Sequence, residues 1–187
     1  MTSKTNLHEN AEFAGQSITY AFGNGNYAGG TGFDTLVIPV AAEIWASNED
    51  NYTGIEVFDA SSSSGFDLIA GNTLSNTIIA GSGGSSLWGG NGQVSDTMTG
   101  GDGEDTFWYM PGNGEDFVYN ANSNDKVFFC DLTMNNLVGT EEVNGTDMKI
   151  NFGDGNSLTV KDGLTNGIRY WLGDDIWHYQ DHVWYTE

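Results

Sequence analysis

The chain has 187 residues, the length of one domain, and a single cysteine, Cys130, which leaves no disulfide framework and no Cys-based zinc site. With 26 Asp and Glu against 5 Lys and Arg, the formal net charge is -21, and no Lys or Arg occurs between Lys4 and Lys126. Nucleic-acid phosphate and anionic membrane surfaces are therefore poor partners, and cations are the natural counter-charge. No stretch approaches about 18 consecutive apolar residues, and "MTSKTNLHEN" lacks the basic and apolar regions of a secretory signal, so the expectation is an exported chain that uses another route.

From the N-terminus, "GGTGFDTLV" (29–37) is a glycine-rich turn that runs into the strand "DTLVIPV" (34–40), and "NYTGIEVFDAS" (51–61) reads as a short linking strand. Residues 1–64 are thus an N-terminal β segment.

Residues 65–128 repeat. Asp67, Asn76, Ser85, Asp96, Asp105, Asp116 and Asp125 follow one another at steps of 9, 9, 11, 9, 11 and 9. Two positions after each comes an apolar residue: Ile69, Ile78, Leu87, Met98, Phe107, Val118 and Val127. The loops ahead of them read "AGSGGS" (80–85), "GGNGQVSD" (89–96), "GGDGED" (100–105) and "PGNGED" (111–116). This is the nonapeptide G-G-x-G-x-D-x-U-x, with U apolar, of calcium-binding parallel β-helices. Over 65–128, and again at 29–37, the chain resembles the RTX, or haemolysin-type, calcium-binding repeat family.

The resemblance implies an all-β, right-handed parallel β-roll or short β-helix, with about nine residues per half-turn. Ile69, Leu87, Phe107 and Val127 then stack on one side, and Ile78, Met98 and Val118 on the other. One apolar residue per half-turn is a thin core. Burial at about 25 cal/mol per Å² does not offset backbone ordering at roughly 1 to 2 kcal/mol per residue, so bound ions supply the difference. Several Ca²⁺ ions are expected, because glycines with positive φ turn carbonyl oxygens inward beside one Asp per loop, an all-oxygen set that suits a hard cation.

In the family each ion lies between loops one coil apart. Carried over, loop 80–85 pairs with 100–105, 89–96 with 111–116, and 100–105 with 120–125. Asp96, Asp105, Asp116 and Asp125 are the leading side-chain ligands, with Asp67 in the same series. Carbonyls of Ser82, Gly89, Asn91, Gly100, Gly101, Asp102, Gly103, Gly112 and Gly114 complete the shells. Ser85 and Asn76 stand where the pattern has Asp, which predicts weak or empty sites there, and "QVS" lengthens loop 89–96 by two residues.

Beyond the repeats, residues 129–187 form an antiparallel β cap. "KVFFCDL" (126–132) leads into it; "MKINFGDGNSLTV" (148–160) and "IRYWLG" (168–173) are its strands, and "GDGN" (153–156) is a hairpin turn. The tail "DDIWHYQDHVWYTE" (174–187) suggests a turn at Gln180-Asp181 that sets Trp177 opposite Trp184. That tail either closes the open end of the roll or, with Trp171, Trp177, Tyr179 and Trp184, offers an aromatic platform for a sugar.

No EF-hand, nucleophile elbow, Walker loop or dinucleotide fingerprint occurs, and His178 and His182 lack the Glu of a zinc-protease motif, Tyr179 standing there instead. The expectation is a non-enzymatic, extracellular calcium-binding module, exported by a type I-like route, whose folding depends on Ca²⁺ and which has a structural, secretion-folding or adhesin role. A carbohydrate-binding or polysaccharide-modifying module that uses calcium structurally is the alternative. Polysaccharide or further copies of the protein are the candidate macromolecular partners.

Overall fold

The computed structural model describes residues 15–21, 25–47 and 51–186. His8 lies outside them. Among the described residues there is no α-helix; one turn of 3₁₀ helix spans Met134–Asn136. The early strands are β1 (Ser17–Thr19), β2 (Tyr27–Ala28), β3 (Thr35–Val37), β4 (Glu43–Trp45), β5 (Tyr52–Thr53) and β6 (Val57–Asp59). The repeats supply β7 (Asp67–Ala70), β8 (Thr77–Ile79), β9 (Ser85–Trp88), β10 (Thr97–Thr99), β11 (Asp105–Tyr109), β12 (Glu115–Tyr119) and β13 (Lys126–Phe129). The chain ends with β14 (Gly139–Val143), β15 (Asp147–Gly153), β16 (Asn156–Val160), β17 (Arg169–Leu172), β18 (Asp175–Gln180) and β19 (Val183–Thr186).

Two open sheets hold nearly all of them. One runs β1-β3-β6-β8-β10-β12-β16-β15-β14, the other β19-β18-β17-β13-β11-β9-β7-β4, and β2 pairs with β5 alone. From β6 to β13 each successive strand falls in the opposite sheet, and neighbours within a sheet are parallel. The short glycine-rich loops make this alternation, because each strand of three to five residues ends where the next loop turns the chain across.

Register carries the interior. Ile18, Leu36, Phe58, Ile78, Met98, Val118 and Val160 lie in line in the first sheet. Ile44, Ile69, Leu87, Phe107, Val127 and Tyr170 lie in line in the second. All are buried. Near the C-terminal end the core widens, because Tyr109, Phe129 and Leu172 form another inward line beside Phe152.

Parallel pairing continues past residue 128. β16 lies parallel to β12 and β17 parallel to β13, so both extend the stack, while β14–β15 is a hairpin inserted before them. Antiparallel strands close both sheets at that end. Asp154 and Gly155 form the expected tight turn, with φ of 52° and 77°. The last hairpin differs from expectation. It turns at Asp181–His182, φ 50° and 64°, so Trp184 faces Tyr179 and Trp177 faces Thr186.

Candidate metal centre

At the junction of loop and strand, one residue before each outward position, polar side chains are stacked in register. In the second sheet the column is Asp67, Ser85, Asp105 and Asp125. In the first it is Asp34, Glu56, Asn76, Asp96 and Asp116. Asp34, Asp67, Asp96, Asp105, Asp116 and Asp125 are each at most 1% exposed. Local sequence puts them there, since the apolar residue two positions on must point inward and strand alternation turns the Asp to the same side.

One oxygen of Asp34, Asp67, Asp96, Asp116 and Asp125 is tied to the preceding coil, and one of Asp105 to its own loop, where Gly101 N donates to Oδ2 at 2.7 Å. Asp96 N donates to Asp116 Oδ1 at 3.1 Å, Asp105 N to Asp125 Oδ1 at 2.8 Å, Asn76 N to Asp96 Oδ1 at 2.7 Å, and Gln16 N to Asp34 Oδ1 at 2.7 Å. Asp67 Oδ1 accepts from Ala42 N at 2.9 Å. The second oxygen is another matter. Asp34 Oδ2, Asp67 Oδ2, Asp96 Oδ2, Asp105 Oδ1 and Asp116 Oδ2 are buried with no hydrogen-bond donor among the described residues. The hydroxyls of Ser63 and Ser85 are buried beside Asp67 and Asp105 and lower the proton affinity of those carboxylates. A buried polar atom left without a partner costs about 1 to 3 kcal/mol, more when charged.

The electrostatics follow from that burial. Desolvation pushes Asp116 up to about 8, with the Asp96 charge adding to it, and pushes Asp96 up to about 7. Asp105 rises to about 6 through desolvation, and the Asp125 charge also raises it. Asp67 and Asp125 are raised by burial as well. No lysine among the described residues relieves them: Lys126 lies 3.4 Å from Glu104, Lys149 lies 3.2 Å from Glu115, and Lys161 pairs with Asp147.

The loops stack as the pairing by coils requires. A Cβ on Gly101 would lie 1.6 Å from Gly81 O, joining loops 80–85 and 100–105. A Cβ on Gly114 would lie 2.4 Å from Val94 O, joining 89–96 and 111–116, and Asn120 Nδ2 donates to Gly100 O at 2.8 Å across the third pair. In three loops the leading glycine covers its own Asp. Cβ atoms on Gly29, Gly89 and Gly100 would meet carboxylate oxygens of Asp34, Asp96 and Asp105 at 2.6, 2.4 and 2.9 Å.

The glycine conformations differ in part from expectation. Gly112 and Gly114 have φ of 86° and 85°, but Gly100, Gly101 and Gly103 are not in the left-handed region. In that loop glycine is required by close approach: Cβ atoms at 101 and 103 would fall 1.6 Å from Gly81 O and 2.0 Å from Gly84 N.

The expected ligands are not equivalent. Asp125 has both oxygens engaged, Oδ2 by Asn122 N and Nδ2 at 2.8 and 2.9 Å. Gly100 O accepts from Asn120, and Gly114 O accepts from Tyr109 Oη at 2.8 Å and Ser157 N at 2.9 Å. Gly89 is buried, while Ser82, Asn91 and Asp102 lie on exposed loop tips. Asn76 completes its own contacts: Nδ2 donates to Ile55 O at 3.1 Å and Oδ1 accepts from Asn72 N at 2.7 Å. Its amide bridges two coils where the loops of Asp34, Asp67, Asp96, Asp105 and Asp116 leave an oxygen bare. Asp34 was missing from the expected ligands, although "GGTGFD" carries the complete motif.

The residues fit a hard cation. No three His, Cys, Asp or Glu side chains converge on one point among the described residues. What the loops bring together is one carboxylate each, with backbone oxygen around it, which is calcium-type rather than zinc-type chemistry. The tail rings do not form one platform: Tyr179 and Trp184 meet edge to face at 62°, both pack with Trp177 against the core, and Trp171 points to the other side of the sheet.

No known protein-family model matches the chain. No curated protein matches its sequence.

Proposed function

We propose that this chain is an RTX-type calcium-binding module, a right-handed β-roll or short β-helix whose folding and stability are coupled to Ca²⁺. Its setting is extracellular, where calcium is millimolar, after type I-like export as an unfolded chain, and its role is structural, secretion-folding or adhesive. The observation that carries this reading is the set of buried, donor-less oxygens on Asp34, Asp67, Asp96, Asp105 and Asp116. They recur at one position of a repeated loop, in stacks where the Asp96 charge raises the proton affinity of Asp116 and the Asp125 charge that of Asp105.

Those five carboxylates would hold the ions with carbonyls of the adjoining loops. A bound cation supplies the neutralising charge and ties one coil to the next. The residues themselves set the positions: backbone N–H groups, from the neighbouring coil or for Asp105 from Gly101 of its own loop, fix one carboxylate oxygen, and Gly29 and Gly89 face the other oxygen of Asp34 and Asp96 without a side chain. A ligand bound only by the folded chain stabilises it by about 2.7 kcal/mol at a concentration 100 times its Kd.

Circular dichroism and thermal melting of the chelator-treated chain, alone, with millimolar calcium and with millimolar magnesium, test the reading. Calcium should raise the β signal or the melting temperature, with magnesium far less effective. A spectrum and melt that calcium leaves unchanged would sink it.

A further inference from the structure

The outward face of the eight-stranded sheet carries another ladder, separate from the carboxylates. Register lines up Trp45, Ala70, Trp88, Trp108, Phe128 and Trp171 across β4, β7, β9, β11, β13 and β17. Neighbouring strands lie about 4.8 Å apart, so the line runs roughly 24 Å. Where it drops to the methyl group of Ala70, a cavity of about 190 Å³ opens, walled by Trp45, Leu68, Trp88, Trp108 and Met110. Trp45 is 48% exposed.

The ring tilts are held from within the protein. Trp45 Nε1 donates to Glu43 Oε1 at 2.7 Å, Trp108 Nε1 to Ser86 Oγ at 2.7 Å, and Trp88 Nε1 to Asn113 Oδ1 at 3.2 Å. With their N–H groups used, these indoles offer ring surface to a partner. An apolar strip of this kind on a soluble face marks a binding surface.

Charge selects the occupant. A second copy brings a further formal charge of -21 to a molecule that already carries it, and an anionic polymer meets the same field. The face itself is nearly balanced: the column beside the ladder is Glu43, Leu68, Ser86, Thr106, Lys126 and Arg169. Ring faces flanked by hydroxyls at Ser86 and Thr106 complement an uncharged ring with one C–H face and a polar edge. The geometry points to a neutral, extended polysaccharide laid across the strands, with one pyranose seated over Ala70 between Trp45 and Trp88. Of the tail residues considered for a sugar platform, only Trp171 belongs to this ladder. The carboxylate columns take no part in it.

The test uses the full chain in calcium-containing buffer, titrated with cellohexaose, mannohexaose and hexagalacturonate by calorimetry and tryptophan fluorescence. A neutral hexasaccharide should bind, and Trp45→Ala and Trp88→Ala should each weaken it by at least about tenfold, the loss expected for a stacked ring. Tyr119→Ala, on the opposite sheet, should leave binding unchanged. Trp45 sits half-exposed on an edge strand, so its variant keeps the fold, which circular dichroism checks. No binding of either neutral hexasaccharide at millimolar concentration overturns the proposal, as does binding of hexagalacturonate alone. Concentration-dependent dimerisation that Trp45→Ala abolishes overturns it in favour of a second copy.

Discussion

Asp105 and Glu104 are adjacent in sequence and opposite in circumstance. Asp105 is fully buried, with Oδ2 accepting from Gly101 N at 2.7 Å and Oδ1 without a donor, while the Glu104 side chain is 63% exposed beside Lys126. Asp105→Ala should therefore weaken calcium affinity and calcium-driven refolding by at least about tenfold, and Glu104→Ala by less than about threefold, as for a surface ion pair. Calcium titration of the two variants followed by circular dichroism decides it. Equal effects would mean a diffuse ion atmosphere in place of a site.

The same burial sets a pH dependence for the metal-free chain. Asp105, Asp96 and Asp116 bind protons more tightly folded, at about 6, 7 and 8, than at the ordinary carboxylate value of 3.8. Their contribution to stability is thus fully present below about pH 4 and is lost as pH rises through 6 to 8. Urea denaturation after chelator treatment should give a higher midpoint near pH 5 than near pH 8. Calcium should reverse the order, since protons compete for the same oxygens. A metal-free chain more stable at about pH 8 would contradict the burial of these groups.

Glycine 101 and glycine 112 separate two reasons for being glycine. A Cβ at 101 would collide with Gly81 O at 1.6 Å without any positive φ, whereas at 112 nothing lies within 4 Å but φ is 86°. Gly101→Ala must push two coils apart, and about 3 kcal/mol of lost stability is expected. Gly112→Ala pays only the left-handed backbone cost, about 1 kcal/mol. Chemical denaturation of both variants in calcium measures the difference, and equal losses would contradict the loop-on-loop contact.

How much of this was legible depends on what kept the period. The inward lines through Ile78, Met98 and Val118 and through Leu87, Phe107 and Val127 follow from steps of nine and eleven residues, and the register realises them. The continuation of the stack was hidden because the β14–β15 hairpin separates β13 from β16 and breaks the period. Trp88, Trp108 and Phe128 stand three positions after Ser85, Asp105 and Asp125, but only alternate repeats share a sheet, so a residue-by-residue alignment of all repeats dilutes the signal. The turn at Asp181–His182 was misplaced by one residue because local alternation alone does not say which pair takes positive φ.

Ser85 allows the calcium reading and the cost of buried charge to be weighed against each other in one substitution. It occupies the column position between Asp67 and Asp105, and its hydroxyl is buried beside the Asp105 carboxylate. Ser85→Asp would restore the repeat's carboxylate between two others. Without metal it adds a like charge to a dry stack, and the denaturation midpoint near pH 8 should fall by the equivalent of about 1 to 3 kcal/mol. With calcium the added oxygens complete the loop, and the midpoint should recover to the parent value or exceed it, with tighter calcium binding by calorimetry. The calcium-dependent gain in stability, measured on parent and variant alike, must therefore be larger in the variant. A smaller gain would mean that the column position is merely a polar packing site and that an ion does not sit beside it.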